Sequence, residues 1–264
     1  MSITTTENHL IHYEAVGRGE PVIFIHGWLG SWRYWWSSMQ EMSKHYRAFA
    51  FDLWGFGDSS KDPEKYTFEA YVDMLGSFIA NLGIASPVTL VGHSLGAAVA
   101  VRFARLRPQQ VRRIVAVSLP IQGDDIHARL ASWDAGAMLS RFPGRGNTYP
   151  EVDAELRKTD GAAVAALTRQ MANYNFAGDL ETLACPVLLV YGDQDTIINK
   201  PSGTNARFQK SDKNRAFVSF EACNHFPMLE ETAKFSRLLL EFAHTKNNNL
   251  TSLSPKDYWQ RRTY

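Results

Sequence analysis

The apolar positions of this chain fall into two kinds of pattern that alternate along its first half. Short, nearly unbroken apolar runs occupy residues 22–25 and 88–91. Such runs are expected of strands covered on both faces, as in a parallel sheet. Residues 10–16, 47–53 and 114–119 also have strand character, and 10–16 ends in the turn-forming stretch Gly17-Arg18-Gly19-Glu20-Pro21. Between them, residues 68–82 carry apolar side chains at helical spacing with Thr67 placed as a cap. Residues 95–106 do the same and stop before Pro108. Strands alternating with helices predict right-handed βαβ units and a mostly parallel α/β sheet. The rhythm then breaks. Residues 121–178 contain no buried-strand run, only helical patches at 126–139 and 151–174 around a Pro/Gly-rich bend at 142–150. The βα alternation resumes with apolar runs at 186–191 and 217–220 and closes with a helix over 229–244. The pattern thus predicts a core from residues 1–120 and 179–245, a helical insertion at 121–178, and a tail at 246–264. The tail is Asn/Ser/Thr-rich, then basic and aromatic, without a period, as in a mobile or surface-laid extension.

The sharpest chemical signal sits at one of these junctions. Gly92-His93-Ser94-Leu95-Gly96 directly follows the run at 88–91 and directly precedes the helix at 95. A G-x-S-x-G pentapeptide alone is weak evidence, but strand, tight turn and helix are the setting of a nucleophile elbow. The two glycines leave room for a strained turn that presents Ser94, and the helix N-terminus aims free N–H groups at a developing anion. A serine hydroxyl needs a base, and the base an orienting acid. Tyr191-Gly192-Asp193-Gln194-Asp195 follows one later strand and Asn224-His225-Phe226 the next, giving the order Ser, Asp, His. His225 is the expected base. Asp193 and Asp195 both qualify as the acid, and Asp195 is favoured. The oxyanion donors are assigned to the backbone N–H of Leu95, next after the nucleophile, and of Trp28, in the loop His26-Gly27-Trp28-Leu29-Gly30 that follows the strand at 22–25. His26 itself is read as structural.

These pieces resemble the α/β-hydrolase family, in the branch of proline iminopeptidase-, haloperoxidase- and carboxylesterase-type enzymes. The matching elements are His26-Gly27 with Gly30, the stretch Asp52-Leu53-Trp54-Gly55-Phe56-Gly57-Asp58-Ser59, the elbow, the segment Gly192 through Asp195, and Asn224-His225-Phe226. The resemblance implies a mostly parallel eight-stranded sheet flanked by helices, with a cap inserted after strand six, where the segment 121–178 falls. It also implies that the Asp52 stretch shapes a loop near the site. A serine in the elbow argues against epoxide hydrolase and haloalkane dehalogenase chemistry, whose nucleophile is an aspartate.

Composition narrows the function. A net charge of +1 gives no sign of a nucleic-acid partner, and 45% hydrophobic content over 264 residues suffices for one sizeable core. No run is long enough to span a bilayer and no signal-peptide pattern is seen, so a cytoplasmic enzyme is expected. The two cysteines form no disulfide framework, and Cys223 is read as packing. The group Arg102, Arg105, Arg107, Arg112 and Arg113 is read as a solvated helix face. Trp28, Leu29, Phe226 and Trp133 are the expected walls of a largely apolar pocket for a small-molecule substrate. The chemistry requires neither a metal nor an organic cofactor. It leaves monomer and homodimer both open. Ester or similar acyl hydrolysis leads; C–C hydrolysis of diketone-type substrates and perhydrolysis would use the same triad, and a non-catalytic ligand-sensing member, against which the intact triad argues, is the alternative of another class.

Overall fold

Val22, Ile23, Phe24 and Ile25 are all fully buried, because their strand has a parallel neighbour on each side. The structure, a computed structural model, describes residues 2–127, 149–245, 249–251 and 253–254. Its strands are β1 (Ser2–Thr6), β2 (His9–Gly17), β3 (Pro21–Ile25), β4 (Arg47–Phe51), β5 (Val88–His93), β6 (Val111–Val117), β7 (Val187–Gly192) and β8 (Arg215–Phe220). They form one eight-stranded sheet in the order β1-β2-β4-β3-β5-β6-β7-β8. The pairs β1–β2 and β2–β4 are antiparallel and the other five are parallel. Strand β1 escaped the pattern reading because Ser2-Ile3-Thr4-Thr5-Thr6 is an edge strand with no continuous apolar run. It joins β2 through Glu7 and Asn8, at φ 50° and 66°, the left-handed pair that suits a two-residue hairpin.

The helices are α1 (Trp36–Met42), α2 (Phe68–Asn81), α3 (Leu95–Leu106), α4 (Pro150–Leu156), α5 (Gly161–Met171), α6 (Ala177–Thr182), α7 (Pro227–Glu230) and α8 (Thr232–His244). Thr67 caps α2 as expected, its hydroxyl accepting from the Ala70 N–H. The single helix expected over 229–244 is two, because Glu231 leaves helical geometry at φ −124° and ψ 50°. Between β6 and β7 the patch at 151–174 is also two helices. Asp160 separates them: its side chain caps α5 at the Ala162 N–H, and its own N–H donates to the Gly55 carbonyl at 2.7 Å. Ile126 is not helical but forms a bridge with Ile198. Residues 128–148, with Trp133 and Phe142, lie outside the described residues, and so do the parts of both expected features that fall there.

Two surface expectations change. Arg102 is not merely solvated: its Nε lies 2.8 Å from Asp179, and its guanidinium stands over the rings of Phe68, Tyr174 and Phe176. Arg112 and Arg113 belong to β6, and Arg113 donates to the Thr245 carbonyl. Helical spacing could not show that α3 packs beside α6. In the tail, Leu250 is fully buried and its N–H donates to Lys213 O at 3.2 Å, so that part is docked on the core. Among the described residues no helix is long and apolar enough to cross a membrane.

Asp125, where the chain leaves the sheet after β6, is buried and accepts from the Gln122 N–H at 3.0 Å. Burial pushes its carboxyl up to about 6, against the pull of that bond and one from Ile121, with the Asp124 charge adding to the rise. An unfolded aspartate titrates near ~3.9. Between that value and about 6 the folded chain therefore holds a proton that the unfolded chain has lost, and stability falls as pH rises. Asp125→Asn keeps an acceptor oxygen but no charge. Its urea midpoint should gain on that of the unmodified chain as pH goes from 4 to 7. A constant difference across that range would count against the assignment.

Candidate active site

Strand β5 lies at the centre of the sheet, and its end delivers Ser94 into the turn before α3. Ser94 is 2% exposed and sits at φ 51°, ψ −113°, a conformation that a non-glycine residue adopts only when its surroundings enforce it. The surroundings are tight. The Ser94 N–H donates to Val117 O of β6 at 2.8 Å. A Cβ on Gly96 would strike the Ile25 carbonyl and come within 2.6 Å of that of His26. The glycine thus lets α3 start directly against the end of β3. Gly27 makes the reciprocal approach, since a Cβ there would lie 2.9 Å from the Ser94 Cβ.

His225 follows β8 and is buried at 5% exposure. Its Nδ1 lies 2.8 Å from Asp195 Oδ2. Asp195 is held firmly: Oδ1 accepts from the N–H groups of Ile197 and Ile198 at 2.8 and 2.9 Å, and Oδ2 also accepts from the Ser118 hydroxyl at 2.9 Å. Burial alone would raise its pKa. The charge and hydrogen bond of His225 and the two amides outweigh that and hold the carboxyl below the ordinary range. Asp193 points elsewhere, accepting from Lys200 Nζ at 2.5 Å and from the Ser219 hydroxyl. The His225 ring centroid is 4.5 Å from that of His93, the residue before Ser94. No hydrogen bond joins Ser94 Oγ to the His225 ring among the described residues; such contacts commonly tighten only around substrate.

Near Ser94, neither the Leu95 N–H nor the Trp28 N–H donates to a carbonyl among the described residues. Leu95, Trp28 and Leu29 are all buried, and Leu29 holds a left-handed φ of 58° that shapes the loop. Phe226 is buried with its ring among those of Tyr34, His93, Tyr149 and His225. His26 lies beneath this loop. Its Nε2 accepts from the Leu53 N–H at 2.9 Å, which leaves Nδ1 to donate to Gly27 O at 2.8 Å.

The Asp52 stretch is an anchor for these loops. Asp52 is fully buried; Oδ1 accepts from the Trp32 N–H at 2.8 Å, and Oδ2 from His12 Nδ1 at 2.9 Å and the Asp58 N–H at 3.0 Å. His12, Asp52 and Asp58 bring possible metal-ligand atoms within 4.8 Å of one another. The Asp52 oxygens are already committed to these donors, and Asp58 to Lys158, so the donor set fits a loop anchor better than a cation. Cys223 is buried, and burial with the nearby Glu230 and Glu231 charges pushes its thiol up to about 12, which leaves it inert as a nucleophile.

Four residues at the site carry roles that sequence position alone does not assign. Ser118, at φ 47° after β6, donates to Asp195. Glu230 accepts from the N–H groups of Asn224 and Phe226, on either side of His225, and from the Tyr149 hydroxyl. Tyr34 and His93 lie between the loops. The only signal in the sequence was a polar residue standing in or next to an apolar run.

With this geometry in view, the chain can be placed among known proteins. The model of the alpha/beta hydrolase family matches residues 22–238, and the chain belongs to that family. Among relatives, 2-hydroxy-6-oxo-6-(2'-aminophenyl)hexa-2,4-dienoic acid hydrolase of Metapseudomonas resinovorans is 24% identical over 254 residues, covering 87% of this chain and 86% of that protein. Non-heme chloroperoxidase CPO-A1 of Kitasatospora aureofaciens is 26% identical over 274 residues, covering 92% and 99%. Among solved structures, a meta-cleavage product hydrolase from Pseudomonas fluorescens IP01 superposes with a TM-score of 0.78 at 22% identity, covering 92% of this chain and 97% of that one. A thermophilic esterase from Thermogutta terrifontis gives 0.71 at 24% identity, covering 91% and 96%. At these identities the structural likeness shows the shared fold.

Proposed function

We propose that this chain is a serine hydrolase that cleaves a carboxylic ester or similar acyl bond of a small, largely apolar substrate. The observation that carries the reading is the conjunction of a strained, buried Ser94 at the end of β5 with a buried His225 whose Nδ1 is held by Asp195. In this scheme Ser94 Oγ attacks the carbonyl carbon while His225 Nε2 takes the hydroxyl proton. The carbonyl oxygen becomes an oxyanion against the N–H groups of Leu95 and Trp28. His225 then returns the proton to the departing alkoxide, leaving an acyl-Ser94 ester. Water attacks that ester, giving its proton to His225, and the carboxylic acid leaves as Ser94 recovers its hydrogen. Asp195 keeps Nδ1 protonated and balances the imidazolium. Trp28, Leu29 and Phe226 would wall the acyl site, with the segment between β6 and β7 serving as its cap.

Diketone-type C–C hydrolysis is the second reading, favoured by the relative named as a hydrolase of a 2-hydroxy-6-oxo dienoic acid, whose keto tautomer is a diketone. Fluorophosphonate labelling together with turnover of short and medium p-nitrophenyl esters tests the scheme. The expected result is stoichiometric labelling and ester turnover. Labelling with turnover only of a diketone would move the assignment to the second reading, and neither labelling nor turnover would leave a ligand-binding role.

A further inference from the structure

Three loops supply the proposed machinery: the one after β3 carries Trp28, the elbow carries Ser94, and the one after β8 carries His225. One chain of hydrogen bonds runs through all three. The Gly27 N–H donates to the Tyr34 hydroxyl oxygen at 2.6 Å. Tyr34 Oη lies 3.0 Å from His93 Nδ1, and His93 Nε2 lies 2.9 Å from the carbonyl oxygen of His225. The directions follow from the partners. A carbonyl only accepts, so His93 Nε2 carries the hydrogen; Nδ1 is then the acceptor, and the Tyr34 O–H must donate to it. Tyr34 and His93 are each 1% exposed, so this order is not exchanged with solvent.

We propose that Tyr34 and His93 act as a positioning brace that fixes the oxyanion loop, the nucleophile and the base loop relative to one another. The inference rests on reading Ser94 as nucleophile and His225 as base. Neither side chain is assigned a contact with substrate. The bonds bear on the neighbours of the reacting groups: Gly27 precedes Trp28, His93 precedes Ser94, and the His225 carbonyl belongs to the base itself. The brace also has to stay uncharged, because a second imidazolium beside His225 would oppose the one that forms during acyl transfer. Burial, then the charges of His225 and His26, hold His93 well below the ordinary histidine value, and burial holds Tyr34 well above the ordinary tyrosine value. Each group is thereby kept in the neutral form that the bond directions require.

The test uses the full chain, fluorophosphonate inactivation and hydrolysis of p-nitrophenyl butyrate. Tyr34→Phe retains the ring and its packing and removes only the hydroxyl. It should lower the limiting inactivation rate and kcat by about 10- to 100-fold, the scale set by small misplacements of reacting groups. The inactivator's KI and the ester's KM should change less than about twofold, since the apolar walls are untouched. His93→Gln should act in the same direction, and the double variant should be no slower than the slower single one. Unchanged rates in Tyr34→Phe with only a lower melting temperature would overturn the brace and leave these residues as packing. Multiplying effects in the double variant would overturn it as one connected chain. If His93→Gln does not fold, the rate-against-affinity split in Tyr34→Phe decides alone. An unmodified chain that neither labels nor turns over would instead remove the reading of Ser94, and the brace with it.

Discussion

Ser94→Ala should lower kcat for ester hydrolysis by about 10⁴- to 10⁶-fold and abolish fluorophosphonate labelling, while the fold persists. The size follows from what is removed. In the proposed scheme no acyl-enzyme forms without Oγ, and His225 and the proposed oxyanion donors would only assist direct attack by water; losing a serine nucleophile in a comparable triad costs ~10⁶-fold. A residual acceleration remains because the N–H groups of Leu95 and Trp28 belong to the backbone and survive the change. The fold should tolerate it because the Ser94 side chain makes no cap hydrogen bond to α3, and what fixes the turn is its N–H on Val117 O. The same position carries strain at φ 51°. Holding a non-glycine residue there costs roughly 1–3 kcal/mol, and a glycine would relieve it at an entropic cost of roughly 0.5–1 kcal/mol. Ser94→Gly should therefore be inactive yet unfold at a higher urea concentration than the unmodified chain. An inactive but less stable Ser94→Gly would mean that the strained turn is not a stored cost at all.

How much of this was legible in the sequence depends on whether a feature is local. The buried strands β3, β5 and β7 were legible because strands covered on both faces are apolar over nearly all of their length, as Val187, Leu188, Leu189 and Val190 are. Strand β1 was not, since an edge strand needs no such run. The elbow was legible because Gly92 answers a local demand, the close approach of Gly96 and Ala97 at the start of α3 to the end of β5. The brace was not. His93 and Tyr34 are 59 residues apart, and His93 and His225 are 132 apart, so their bonds exist only once three loops converge. The break at Glu231 is similar: the helical spacing of 229–244 carries no sign that Glu230 is turned toward the amides beside His225.

Asp193 and Asp195 show the limit most sharply, because both follow β7 and spacing alone left them in competition. Local geometry separates them. The amides of Ile197 and Ile198 grip one Asp195 oxygen, which turns the other toward His225, whereas Asp193 meets Lys200 and Ser219 near the surface. Asp195→Asn should lower kcat by about 10⁴-fold, the effect of the same change in a serine protease triad. An asparagine that keeps its carbonyl oxygen on Ile197 and Ile198 must aim its NH₂ at His225 Nδ1. That reverses the bond, forces the proton onto Nε2, and under the proposed scheme leaves His225 unable to accept from Ser94. The loss should persist across the pH range rather than titrate away, because the fault is a tautomer and not a charge. Asp193→Asn breaks a partly exposed ion pair and should change kcat by less than about threefold, in line with the small worth of surface pairs. Measuring both variants with one ester decides the matter. A severe loss in Asp193→Asn with little in Asp195→Asn would transfer the acid to Asp193 and require the loop after β7 to rearrange before catalysis.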